Sequence, residues 1–135
     1  MASPVITQAT GAPIVALVTT AETIVLTTAA LPYNAPGGAG LSVGGTVSGA
    51  TGAGTTSVQL RVYRGTAISG PAQIGGTLQE ASGASSFYSH DFNFLDATPG
   101  VNPQYTVTIQ QVGATGNGTA TYASFVLEAV TSTGA

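Results

Sequence analysis

Ser57-Val58-Gln59-Leu60-Arg61-Val62-Tyr63-Arg64 switches residue by residue between apolar and polar side chains. An extended chain points successive side chains to opposite faces. Val58, Leu60 and Val62 therefore share one face, and Gln59, Arg61 and Tyr63 the other. The same period returns in 104–112, where Tyr105, Val107 and Ile109 are expected inward and Thr106, Thr108 and Gln110 outward. Outward from these two stretches, strands are expected over 13–19, 23–28, 41–48, 72–80, 86–95 and 119–130. Leu41, Val43 and Val47 share a face, Gly75 and Gly76 interrupt the fifth strand, and Tyr88, His90, Phe92 and Phe94 line one side of the sixth. Gly, Pro and Asn separate the strands at intervals of roughly 10–15 residues, the spacing of a sandwich or barrel. Gly49 to Thr55 reads as a hairpin tip, and Thr115-Gly116-Asn117-Gly118 as a tight turn. The expected fold is all-β, an antiparallel sandwich of about eight strands. Residues 1–11 are expected to be an extended N-terminal arm, 12–131 a single sandwich domain and 132–135 a short tail.

Composition narrows the function. Of 135 residues, 43% are apolar but only 5% are charged, against about a quarter in an ordinary soluble domain. The bases are Arg61 and Arg64, the acids Glu22, Glu80, Asp91, Asp96 and Glu128, and His90 is the one histidine. A chain this rich in Val, Ile and Thr is not a disordered one. Its polar surface must be Thr, Ser, Asn, Gln and backbone, which can be desolvated against a partner without stranding ions. Two arginines and a net charge of −3 cannot neutralise a phosphate track, so nucleic acid is not expected as a partner. No membrane partner is expected either: no run is long and apolar enough to span a bilayer. No Lys or Arg precedes the apolar run 12–18, so no secretory signal is read there.

Catalytic chemistry has little to build on. A nucleophile needs a base and an orienting group. His90 is the one imidazole, and Asp91, beside it on a strand, points to the other face. A structural histidine is the favoured reading, and no enzyme activity is expected. With no cysteine and no second histidine, no metal or other cofactor is expected. Asp91 and Asp96 could at most lend oxygens to a loosely held calcium ion. The glycines of 37–45 are not followed by Lys-Ser/Thr, so they form no phosphate loop. Asn117-Gly118-Thr119 matches a glycosylation sequon, but it sits where a turn is expected.

Leu95-Asp96-Ala97-Thr98-Pro99-Gly100, followed by Tyr105-Thr106-Val107-Thr108-Ile109, resembles the turn-plus-strand cadence of β-sandwich domains such as fibronectin type III. About eight strands is one too many for that topology and suits a jelly roll better. A wider resemblance runs through Val58–Gly65, Phe94-Leu95-Asp96, Tyr105–Gln110 and Ala123-Ser124-Phe125-Val126-Leu127-Glu128. With the lysine-free composition, the chain resembles the small jelly-roll virion proteins of tailed bacteriophages, which include capsid decoration (cement) proteins and the heads of fibres and spikes. The resemblance implies a homotrimer on the capsid surface, in contact with the major capsid protein and stabilising the head. The alternative is a receptor- or carbohydrate-binding fibre or spike head, presenting Tyr33, Tyr63 or Tyr88 to sugar rings. Candidate capsid or subunit contacts are Pro4, Val5 and Ile6 in the arm, together with Arg61, Arg64 and His90. An extended arm over 2–10 would reach ~30 Å and could add a strand to a neighbouring sheet edge.

Overall fold

The computed structural model describes residues 6–10, 16–18, 20–30, 40–51, 56–82, 87–112 and 118–130, with side chains described in 20–30, 40–50, 57–80 and 87–112. The strands are β1 (Ile6–Thr10), β2 (Ala16–Val18), β3 (Thr23–Thr27), β4 (Gly40–Thr51), β5 (Thr56–Arg64), β6 (Gln73–Ser82), β7 (Phe87–Asp96), β8 (Tyr105–Val112) and β9 (Gly118–Val130). One 3-10 turn, Gly70–Ala72, leads into β6. All pairings are antiparallel. Sheet A runs β1-β9-β4-β7, with β2 also pairing β9; sheet B runs β3-β8-β5-β6.

The pairs are nested. The β5–β6 ladder is innermost, β4 pairs β7 outside it, β3 pairs β8 outside that, and β1 and β2 pair β9 outermost. The chain is thus one long hairpin rolled so that successive pairs fall alternately in the two sheets, which is jelly-roll winding. Because β1 and β2 both lie along β9, they fill one strand position, and the rolled hairpin has eight positions as the sequence suggests.

The alternating residues build the core. On β4, Leu41, Val43 and Val47 are fully buried, and so are Val58, Leu60 and Val62 on β5 and Tyr105, Val107 and Ile109 on β8. Tyr88 and Phe92 of β7, Ile74 of β6 and Val25 of β3 complete the cluster. Each fully buried aliphatic side chain contributes on the order of 1.5–3 kcal/mol of transfer free energy. The parity expected for β7 holds: Tyr88, His90 and Phe92 are buried, while Phe87, Ser89, Asp91, Asn93 and Leu95 are exposed.

Two local expectations are corrected. Gly49 to Thr55 is not a hairpin tip, because β4 and β5 lie in different sheets; β4 stays paired with β7 to Ala50 and with β9 to Thr51. The hairpin expected around Asn117-Gly118 fails in the same way, because β8 belongs to sheet B and β9 to sheet A. Gly118 opens β9, and Asn117 lies outside the described residues. Thr106 and Thr108 point to the outer face of sheet B as expected, and are fully buried there. The neighbouring polar side chains of that face cover them.

Gly75 and Gly76 interrupt β6 by forming a bulge. Leu60 pairs Leu78 while Val62 pairs Ile74, so β6 carries extra residues between the two pairs. Gly75 adopts φ +64°, and a β-carbon there would lie 2.0 Å from Cδ1 of Phe94. The bulge presses bare backbone onto the Phe94 ring, where β6 and β7, the edge strands of the two sheets, pack side by side.

Candidate functional site

Three polar clusters and one exposed face are the chemically distinctive parts of the molecule. The first cluster closes one end of the sandwich. Asp96, at the end of β7, is 1% exposed. Arg64 donates to it from both Nε (2.8 Å) and Nη2, and the Tyr105 hydroxyl donates at 2.7 Å. The Thr98 amide adds a donor at 3.2 Å. Burial alone would raise the Asp96 carboxyl, but the donors from Arg64, Tyr105 and Thr98 outweigh it and hold the group below its ordinary value. The cluster ties β7 of sheet A to β5 and β8 of sheet B. It fully engages Asp96, which the sequence offered as a calcium ligand.

The second cluster lies flat on the outer face of sheet B. Glu22 accepts from Arg61 Nη1 at 2.7 Å and from the Tyr63 hydroxyl at 2.8 Å. Arg61 also donates to Gln110 at 2.9 Å and to Gln59 at 2.6 Å, and Gln59 donates to Gln79 at 2.9 Å. Gln110 in turn donates to the Thr20 carbonyl. Thr106 donates to the Gly65 carbonyl and lies 3.0 Å from the Thr27 hydroxyl. This carpet of amides, acid and guanidinium buries the two threonines. Burial and the bond to Glu22 push the Tyr63 hydroxyl up to about 12.

The third cluster is internal. His90 reaches from β7 across the sandwich, and its Nε2 lies 2.9 Å from the Val58 carbonyl of β5. A carbonyl only accepts, so Nε2 carries the hydrogen. Nδ1 lies 3.8 Å from Glu80 Oε2 on β6, and the Tyr88 ring stands edge-on at 5.9 Å. Gln111, opposite Val58 on β8, has a buried amide oxygen with no hydrogen-bond donor among the described residues. Burial lowers the pKa of His90 from its ordinary value and pushes the Tyr88 hydroxyl up to about 12. Asp91 takes no part. It points to the opposite face and accepts from Thr46 Oγ1 at 2.7 Å.

The exposed face is the outer side of sheet A along β4 and β7. Phe87 is 89% exposed and Leu95 61% exposed, at opposite ends of the edge strand β7. Opposite them on β4 lie Ala50 and Ser42, with Gly44, Thr46 and Ser48 between. No β4 side chain in this row is larger than threonine. Ser42 donates to Asn93 at 2.8 Å, and Asp91 is the one ionisable side chain described on the face. The sequence missed this patch. The even–odd pattern of β7 does place Phe87 and Leu95 outward, but its aromatic inner side drew the reading.

The candidate contacts now have places. Arg61 and Arg64 are held in ion pairs with Glu22 and Asp96. His90 is buried inside the sandwich. Ile6 begins β1 and pairs Glu128 of β9; Pro4 and Val5 lie outside the described residues. Of the tyrosines offered for sugar stacking, Tyr63 and Tyr88 are buried and Tyr33 lies outside the described residues. Among the described residues, no group of three or more His, Cys, Asp or Glu side chains could hold a metal ion, and no helix is long and apolar enough to cross a membrane.

No known family model and no curated protein sequence matches the chain. Among solved structures, it is similar to a chain described as "Structure of infectious bursal disease virus Gx strain", with a TM-score of 0.49 and 16% identity. The likeness covers 98% of this chain and 33% of that one, so this chain spans about a third of its length.

Proposed function

We propose that the chain is a non-enzymatic virion structural protein: a bacteriophage capsid decoration (cement) protein that binds the major capsid protein and stabilises the head surface. The observation that carries this reading is the outer face of sheet A. Phe87 and Leu95 stand exposed at the ends of an edge strand, beside a row of small β4 side chains. Exposed apolar anchors beside small side chains, with Asp91 the one ionisable group among the described side chains there, suit a surface used for association. The arginines support the reading indirectly. Both are engaged within the fold, so the contact is assigned to apolar packing and hydrogen bonding rather than to ion pairing. Assembly as a homotrimer belongs to the same proposal, since low charge suits surfaces buried between copies.

Purified protein added to undecorated heads of the cognate phage tests this. Binding should saturate and raise the temperature at which the heads open. Heads that neither take up the protein nor gain heat resistance would refute the reading.

A further inference from the structure

We propose that His90 is an acid-sensitive tie between the two sheets: it links β7 to β5 through Nε2, and a proton taken up at Nδ1 places a buried charge that loosens the seam between β6 and β7. The proposal stands on the geometry of the third cluster and is independent of the capsid reading. The side chain crosses from sheet A to the backbone of sheet B, and this is the one imidazole in the chain. The Val58 carbonyl takes the Nε2 hydrogen, so an added proton must go to Nδ1, which faces Glu80 Oε2 at 3.8 Å, beyond hydrogen-bond reach.

Two effects then compete. Glu80 attracts the imidazolium, but its side chain is 44% exposed, so water screens the pair; the His90 side chain is 4% exposed and bears the desolvation of its charge almost in full. Desolvation is the larger effect, in line with the lowered pKa of His90. The hydrogen bond to the Val58 carbonyl and the charge of Asp91 also favour the protonated ring, without outweighing its burial. Glu80 is the ionisable group that β6 turns toward it, and the arginines of β5 are paired with Glu22 and Asp96. On β8, Tyr105 lies in the Asp96 cluster, and β4 has no ionisable residue. On β7, Asp91 points to the opposite face and adds an attraction weaker than that of Glu80, and Tyr88 stays neutral. From β9, Tyr122 and Glu128 have side chains outside the described set.

The sign follows from linkage. A histidine whose folded pKa lies below its unfolded value contributes stability that is complete above the unfolded value. That stability falls as pH drops below about 6.5, until the folded pKa is reached. The seam is the place to yield, because β6 and β7 are edge strands, each with one ladder partner among the described residues, and His90 faces both β5 and β6.

The test uses the wild-type protein and His90→Gln, whose amide can still donate to the Val58 carbonyl. Urea midpoints are measured from about pH 7.5 to about pH 5. Hydrogen exchange of residues 73–80 and 87–95, corrected for intrinsic rates, is followed in parallel. The wild type should lose stability across this range, with its seam amides exchanging about tenfold faster per unit of pKa difference, while His90→Gln stays flat. Equal profiles for the two proteins would overturn the proposal, as would acid-accelerated exchange that is uniform over both sheets. Should the variant not fold, titration of the single imidazole and seam exchange in the wild type decide together. A midpoint clearly below the ordinary histidine value, with acid-accelerated exchange confined to the seam, supports the proposal; a midpoint at or above that value, or uniform exchange, refutes it.

Discussion

Asp96 is the residue on which one end of the sandwich closes. With 1% exposure and donors from Arg64, Tyr105 and Thr98, it stays ionised although buried. Its replacement by alanine leaves the buried Tyr105 phenol without its acceptor and the half-buried Arg64 guanidinium with only the Thr98 hydroxyl. Asp96→Ala is expected to cost about 3–5 kcal/mol, read as a shift in urea midpoint with unchanged slope. The same carboxylate fixes an acid limit. Its folded pKa is lowered, so its contribution is complete above the ordinary carboxylate value and is lost as pH falls below about 4. That window is separate from the His90 window. Gly75 makes a different demand. At φ +64°, with Phe94 where a β-carbon would stand, Gly75→Ala is expected to cost about 2 kcal/mol or more, visible as a lowered thermal midpoint. In the sequence, Gly75 reads as a blemish in a weak strand. Its role comes from Phe94, nineteen positions along the chain and in the other sheet, which local pattern does not contain. The partners of His90 were hidden for the same reason.

At the scale of elements, β5 and β8 were legible because each places a run of branched apolar residues on one side of a two-residue period. Val58, Leu60 and Val62 match the burial found, as do Tyr105, Val107 and Ile109. The outer faces were less legible. Thr106 and Thr108 look solvent-facing in the sequence, and only Glu22, Arg61 and the glutamines of neighbouring strands bury them. Which strands share a sheet was not legible either. The short connections after β4 and after β8 suggest hairpins, whereas the ladders of β4 reach to β7 and β9. Strand β7 joins fold and function: its even residues fill the core and its odd residues form the exposed face. Replacing Phe87 and Leu95 together by serine should leave stability within about 0.5 kcal/mol, because neither packs in the core, yet weaken head binding strongly. Chemical denaturation and a binding assay on the same preparation separate the two effects.

At the scale of the whole molecule, the rolled hairpin explains how a chain with so few charged groups holds together. The core is a two-layer apolar filling, and its two sheets are tied by polar bridges at Asp96 and at His90. Along β4 and β7, the outer face of sheet A carries one ionisable group among the described side chains, Asp91. Such a body is suited to lie against another protein surface, and the account stands or falls on that contact. The most direct measurement is co-sedimentation of undecorated cognate heads with wild-type protein and with the Phe87→Ser/Leu95→Ser variant, both checked as folded. The account predicts saturable uptake of the wild type and little or none of the variant. Equal uptake of both would remove the β7 face from the contact, and no uptake of the wild type would contradict the capsid role itself.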